Sequence, residues 1–286
     1  MKIAIQGEAG SFSHEAALKM EPEATIVPCS YSPEVFRRVV EGLVEAAVIP
    51  IENSLAGPVV EHYDLLLEHG VTIEREFLVR IRHNLIVRPG SSIEDIRRVS
   101  SHPVALAQCR KFLEQHQQLE VVPFYDTAGS VKQLMEQGDV HAAAIASHAA
   151  AVYYNAAILL AGIEDNPQNF TRFFLVRPAA MVRPDPLANK VSLAFTVANR
   201  PGTLVEALQV FSAHGTNLTK IESRPVPGQP WQYVFYVDYQ MSTLGETKVP
   251  LEQLRLHCSM VKELGAYRQS EQGSAGPNSN AGVLPN

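Results

Sequence analysis

The sequence predicts an α/β protein of two units, a larger one over residues 1–178 and a smaller one over 190–269, joined by a linker at 179–189. Three observations carry this. Over residues 1–178, short apolar runs rich in β-branched residues and alanine alternate with stretches of helical spacing, the pattern of a sheet covered by helices. The segment RPAAMVRPDPLANK at 177–190 holds three prolines and no periodicity, so it connects rather than packs. Beyond it the order of elements changes to β, α, β, β, α with a short last strand.

In chain order, KIAIQ at 2–6, ATIV at 24–27, AAVIP at 46–50, NLIV at 84–87, VVPFY at 121–125 and AAAIA at 142–146 read as strands of a largely parallel sheet. Val35, Phe36, Val39, Val40 and Leu43 recur at helical spacing between them, as do Leu106, Cys109, Arg110 and Leu113. From Val71 to Val87 two strand-like segments follow each other without a helix. They carry the chain across to a second lobe, which predicts a cleft between two lobes. In the smaller unit, KVSLAFTVA, a helix over Thr203–Ala213, NLTKIESRPV, WQYVFYVDYQ, an amphipathic helix over Leu251–Leu264 and a short strand at GAYR make a ferredoxin-like βαββαβ order. Residues 270–286 have almost nothing to bury and are expected to be disordered.

Composition excludes several classes. A chain of 286 residues, 46% hydrophobic, can bury a sizeable core, and a net charge of −6 lacks the basic stripe of a nucleic-acid binder. No stretch approaches about 18 apolar residues, so no membrane span is expected. The start MKIAIQGEAG reads as a strand and a glycine turn rather than a signal peptide, which predicts the cytoplasm. Cys29, Cys109 and Cys258 form no CxxC pair, and the histidines show no HExxH; His62 and His69 stand two turns apart without further ligands. Neither a metal nor a cofactor is predicted.

Four motifs hold polar groups where ligands bind. In GEAGSFSHEAA at 7–17, glycines turn the chain after the first strand and Ser11 can cap a helix whose free amides face an anion. The glycine spacing is not a dinucleotide fingerprint. In PIENSLAG at 50–57, Glu52, Asn53 and Ser54 arrive at the carboxyl end of a strand, where open α/β sheets bind ligands. A cap for a helix starting near Gly57 and Pro58 needs only one of the three. SHPVALAQC at 101–109 offers Ser101 and Gln108, and NPQNFTRFFLV at 166–176 places Thr171, Arg172 and Phe173 at a strand mouth.

These motifs stand in the order and at the distances found in one enzyme family: the chain resembles prephenate dehydratases over nearly its whole length. PGTLVEAL and NLTKIESRP likewise resemble the ACT domain, an amino-acid-sensing module. The resemblance implies a two-lobed, periplasmic-binding-protein-like catalytic domain with an ACT domain, and the loss of water and carbon dioxide from prephenate in phenylalanine biosynthesis. Aromatisation drives that reaction, so it needs no electron sink. Thr171 matches the threonine essential in the family and acts on the leaving hydroxyl, either donating a hydrogen bond or relaying a proton from a better acid. Glu52 is that acid if burial raises its pKa, or it is structural. Asn53 completes the catalytic set. Ser101, Gln108 and Thr127 follow as substrate contacts by resemblance, joined by Ser11, Ser54, Arg172 on a carboxylate, and Phe173 beneath them.

Gly202, Thr203, Leu204 and Val205 match a regulatory motif with Thr203 in place of alanine, and Glu222, Ser223, Arg224 and Pro225 match the other without change. With Asn217 and Leu218, the resemblance makes these the site for phenylalanine between paired ACT domains, hence a homodimer or homotetramer. The threonine adds bulk where the family has a methyl. Two other readings stay open: arogenate dehydratase, with an amino in place of the keto group, and a non-catalytic amino-acid sensor or solute-binding protein. With the first strand starting at Lys2, no fused chorismate mutase domain is expected at the N-terminus.

Overall fold

The computed structural model describes residues 1–226, 228–241 and 248–270, the side chains of 248–250 excepted. The predicted disordered tail lies outside the described residues, apart from Ser270. The first lobe forms from β1 (Lys2–Gln6), α1 (Phe12–Met20), β2 (Thr25–Cys29), α2 (Ser32–Val40), β3 (Ala46–Asn53), the two-residue β4 (Gly57–Pro58), α3 (Val60–Glu68) and β5 (Val71–Arg80). The second lobe follows as β6 (Asn84–Val87), β7 (Arg98–Ser101), α4 (Pro103–Gln108), α5 (Arg110–Gln115), β8 (Glu120–Pro123), α6 (Thr127–Gln137), β9 (Ala142–Ala146), α7 (His148–Tyr153) and β10 (Ala157–Ala161). The chain then returns to the first lobe as β11 (Phe170–Pro178). All five residues of β9 are buried, which explains a strand made almost wholly of alanine: close cover on both faces leaves room for little more.

The expected largely parallel sheet is two mixed sheets. The first runs β2-β1-β3-β11-β5 with β4 on β3, and the second β10-β6-β9-β7-β8. Strands joined by helical crossovers, β1 with β2 and β3, and β7 with β8 and β9, pair parallel. The strands that carry the chain between lobes, β5 and β6 outward and β10 and β11 back, pair antiparallel. Gly57 and Pro58 do not start a helix. The Asn53 Oδ1 accepts the amides of Leu55 at 3.0 Å and Ala56 at 2.8 Å, and this turn folds β4 back onto β3.

The C-terminal unit comprises β12 (Lys190–Thr196), α8 (Thr203–Ala213), β13 (Leu218–Pro225), β14 (Tyr233–Gln240), α9 (Lys248–His257) and β15 (Met260–Tyr267), in the sheet order β13-β14-β12-β15. The last helix ends at His257, not at Leu264, and the last strand starts at Met260. Leu251 and Leu254 pack with Phe211 and Val210 of α8, whereas Leu264 lies in the core shared with the first lobe. One apparent apolar stripe therefore belongs to two elements.

The face of this sheet away from α8 and α9 docks on the first lobe. Ala194, Val234, Tyr236, Leu264 and Tyr267 share a core with Ile73, Phe174, Val176 and Tyr63. Approach is closest at Gly265, where a Cβ would stand 2.3 Å from the Ile73 carbonyl oxygen.

Candidate active site

The site is built on the ladder between β3 and β11, where Thr171 pairs with Asn53 and Arg172 with Glu52. Side chains alternate across a strand, so adjacent rungs face opposite ways. Thr171 and Asn53 turn to the cleft between the lobes; Arg172 and Glu52 turn to the C-terminal unit.

Hydrogen bonding determines which way the Asn53 amide points. The Leu55 and Ala56 N–H groups can only donate, so the atom they meet is the oxygen. The nitrogen then donates to Thr171 Oγ1 at 2.9 Å and to Asn169 Oδ1 at 2.7 Å. Asn169 in turn donates to Gln108 Oε1 at 2.9 Å, and Gln108 Nε2 faces Asn53 Oδ1 at 3.4 Å. The ring of amides closes. Buried His83 joins it with Nε2 at 2.9 Å from Gln108 Oε1, so that nitrogen carries the proton. Burial lowers the His83 pKa and keeps the imidazole neutral. Because Thr171 Oγ1 accepts from Asn53 and the residue lines the cleft, its own proton is free to be donated to a group bound there.

The cleft has a volume of about 780 Å³. Thr171, Asn53, Gln108, Ser11, Thr127 and Phe173 all line it. Ser11 caps α1 by accepting from the His14 amide at 3.3 Å, and Thr127 opens α6 behind its cap Asp126. Two helix N-termini from different lobes thus meet at the site. Among the described residues no lysine or arginine lines the cleft. Its acids are Glu8 and Asp126. Burial, with Glu8 nearby, raises the Asp126 carboxyl above its ordinary range.

The lobes touch across this cleft. Glu8 accepts from the Tyr125 hydroxyl at 2.9 Å and pairs with Lys132 at 3.1 Å, and Ser147 donates to the Gly10 carbonyl at 2.6 Å. Gly10 is required there: its φ is +85°, and a Cβ would lie 2.7 Å from the Ala150 Cα.

Four expected site residues are placed elsewhere. Arg172, 6% exposed, spends its guanidinium on Glu76 at 2.6 Å, Asp238 at 2.5 Å, the Tyr267 hydroxyl at 2.8 Å and Glu52 at 3.1 Å. The strand's alternation turns it away from the cleft. Glu52 is not an acid with a raised pKa. Burial pushes the carboxyl up, but Lys220 and Arg172 outweigh it and hold it below the usual range. Ser101 is fully buried and donates to the Ile145 carbonyl at 2.5 Å, which fixes β7 rather than a ligand. Ser54 accepts from the Phe170 amide at 3.0 Å, and its hydroxyl belongs to the turn.

Sequence reading missed His83 and Asn169. His83 lies in the segment where the chain crosses between lobes, and Asn169 lies two residues before Thr171 in a motif already singled out. His14 and His102 make local bonds, to the Gly10 and Val104 amides.

Residues 3–180 match the prephenate dehydratase family and residues 191–238 the ACT domain. The chain belongs to the prephenate dehydratase family. It is 38% identical over 278 residues to an Arabidopsis thaliana protein named arogenate dehydratase/prephenate dehydratase 2, chloroplastic, covering 93% of this chain and 72% of the relative. A prephenate dehydratase from Arthrobacter aurescens solved with L-Phe superposes with a TM-score of 0.86 at 32% identity, covering 94% of this chain and 90% of that one. A structure described as GqqA, a novel type of quorum quenching acylase, also gives 0.86, at 33% identity over 94% and 98%. As a prephenate dehydratase the chain is a hydro-lyase with an ACT domain.

In that ACT domain, Gly202 precedes α8 and Thr203 is buried, its hydroxyl donating to the Ala198 and Arg200 carbonyls at 2.5 and 3.0 Å. The added hydroxyl is satisfied within its own turn. Leu204 is half-buried against the domain core and Val205 is exposed. Asn217 donates to Gln240 at 3.1 Å, just before Leu218 opens β13. On β13, Glu222 and Arg224 are half-buried and Ser223 and Pro225 exposed. Arg224 pairs with Asp64 of α3 at 2.5 Å, so this motif also joins the two domains.

Proposed function

We propose that this chain catalyses the decarboxylating dehydration of prephenate to phenylpyruvate, with residues 1–178 as the catalytic unit, 179–189 as linker and 190–269 as the regulatory one. The carrying observation is the Asn53–Thr171 rung at 2.9 Å. A threonine hydroxyl already accepting from an amide presents its proton outward, and the oxygen leaving the substrate ring is what needs one. The C–O bond to that hydroxyl and the C–C bond to the ring carboxylate break together. One proton is taken up, water and carbon dioxide depart, and the released electron pair completes the aromatic ring.

Neutral donors suit this chemistry. Amides at the starts of α1 and α6 and the Gln108 side chain can hold carboxylates without an ion pair. A carboxylate about to leave as carbon dioxide should not be stabilised by a cation it must abandon, since only what binds more tightly in the transition state accelerates the step. Arogenate remains the second reading, because a cleft lined by Glu8 and Asp126 and no cation also accommodates an ammonium. Purified protein should form phenylpyruvate from prephenate, detected by absorbance. The ratio of kcat/KM on the two substrates selects between them, and no product from either would overturn the proposal.

Phenylalanine is the proposed effector, bound through Gly202–Val205, Asn217, Leu218 and Glu222–Pro225, in a homodimer or homotetramer paired through ACT domains. Added phenylalanine should lower turnover and raise Tm, since a ligand of the native state stabilises it; sizing by light scattering tests the assembly. The cytoplasm is the proposed compartment. No helix among the described residues is long and apolar enough to cross a membrane.

A further inference from the structure

The ACT sheet touches the back of the site's own ladder. Glu52 and Arg172 are the rung next to Asn53 and Thr171. The Glu52 carboxylate bonds Arg172 through one oxygen at 3.1 Å and Lys220 through the other. Lys220 lies on β13, two residues before the Glu222–Pro225 motif, with its side chain 14% exposed and its ammonium 5.5 Å from the Tyr63 ring centre. Arg172 is fixed from the same side by Asp238 of β14 and Tyr267 of β15. Three ACT strands, β13, β14 and β15, therefore grip the rung that backs the Thr171 site. Glu52 adjoins Asn53 in the chain, so moving its carboxylate moves the amide that orients the Thr171 hydroxyl.

We propose that Lys220 and Glu52 are positioning residues that tie the Asn53–Thr171 rung to β13, and that effector binding at the ACT domain reaches the site through this ion pair. The second half rests on the phenylalanine reading above; the first does not. A charged pair that is mostly out of water holds its geometry more tightly than an exposed one, because little solvent competes for either partner. A displacement of β13 is passed to β3 rather than absorbed.

The test is Lys220→Met in the full chain, with Lys220→Arg as the conservative control and Glu52→Gln as the second variant. On prephenate without effector, Lys220→Met should lower kcat by about tenfold, the scale of coupling between linked sites, with KM and Tm little changed. Lys220→Arg should restore it. Phenylalanine should still raise the Tm of Lys220→Met yet no longer inhibit it. Wild-type kcat together with wild-type inhibition in Lys220→Met would overturn the proposal. So would losses of kcat that merely track losses of Tm in both Lys220→Met and Glu52→Gln, since that is a structural role alone. If wild-type protein shows neither inhibition nor a Tm shift with phenylalanine, the effector reading fails by itself, and the effector-free kcat of Lys220→Met still judges the positioning role.

Discussion

Replacing Arg172 by methionine decides between two uses of one guanidinium. Methionine fills much of the volume of the arginine stem, so the perturbation is chiefly the loss of charge. Three carboxylates then lose a partner. Glu76 keeps Lys190 at 3.0 Å and Glu52 keeps Lys220, but among the described residues Asp238, 5% exposed, keeps only the Ser192 hydroxyl at 2.5 Å for its side chain. One buried carboxylate stranded in this way costs about 3–5 kcal/mol. At about 2–4 °C per kcal/mol for a chain of this size, Tm should fall by roughly 6–20 °C. Scanning calorimetry at neutral pH measures it, alongside KM for prephenate well below the transition. Arg172→Met with Asp238→Leu removes the stranded charge and should regain most of the loss, because an apolar replacement of a buried ionic cluster is tolerated where its half-removal is not. An unchanged Tm with KM raised about tenfold or more, the worth of one charged hydrogen bond, would refute this reasoning and return Arg172 to the substrate.

Thr171→Ala should keep its Tm and lose about 10²–10³ of kcat, the worth of one donor to a developing charge, while Thr171→Ser keeps a large part; near wild-type turnover in the alanine variant sinks the assignment. Gly265→Ala drives a Cβ to 2.3 Å from the Ile73 carbonyl, so the ACT sheet must lift off the first lobe. Tm should fall by the equivalent of about 1–3 kcal/mol, and limited proteolysis in the 179–189 linker should quicken; equal stability would mean the contact yields freely. Burial lowers the pKa of both His62 and His83 below the ordinary 6.5. The unfolded rings bind protons that the folded ones do not, so stability is full above pH 6.5 and is lost as the pH falls from there through the depressed folded values. Tm should be lower at pH 5.5 than at pH 7.5, with part of the difference absent in His62→Gln; a Tm unchanged between the two would contradict it.

Element order was largely legible because period and punctuation are local. KIAIQ, NLIV and AAAIA each form a strand with the limits their apolar runs define, and α8 spans Thr203–Ala213 as its spacing indicates. Strand direction was not, because parallel or antiparallel pairing depends on where the chain crosses between lobes. The division of Leu251–Leu264 into a helix and a strand was hidden for a related reason: Val261 stands two helical turns beyond Leu254 and so keeps its phase, and only pairing with Phe195 of β12 makes it a strand residue.

Residue types, order and spacing by themselves determined the α/β class, the crossing between two lobes, the ferredoxin-like unit and the motifs that carry Thr171, Asn53, Gln108, Ser11 and Thr127. Which neighbour in a motif faces the cleft was decided only in three dimensions. Thr171 and Arg172 are adjacent letters of equal chemical promise, as are Asn53 and Glu52. A strand sends successive side chains to opposite faces, and which face is cleft and which is interface depends on where the ACT sheet docks. Arg172 is buried against Asp238 and Tyr267, and Glu52 is half-buried against Lys220, each partner more than 60 residues distant in the chain from the side chain it meets, and those partners turn two residues of an apparent site motif into the support behind the site.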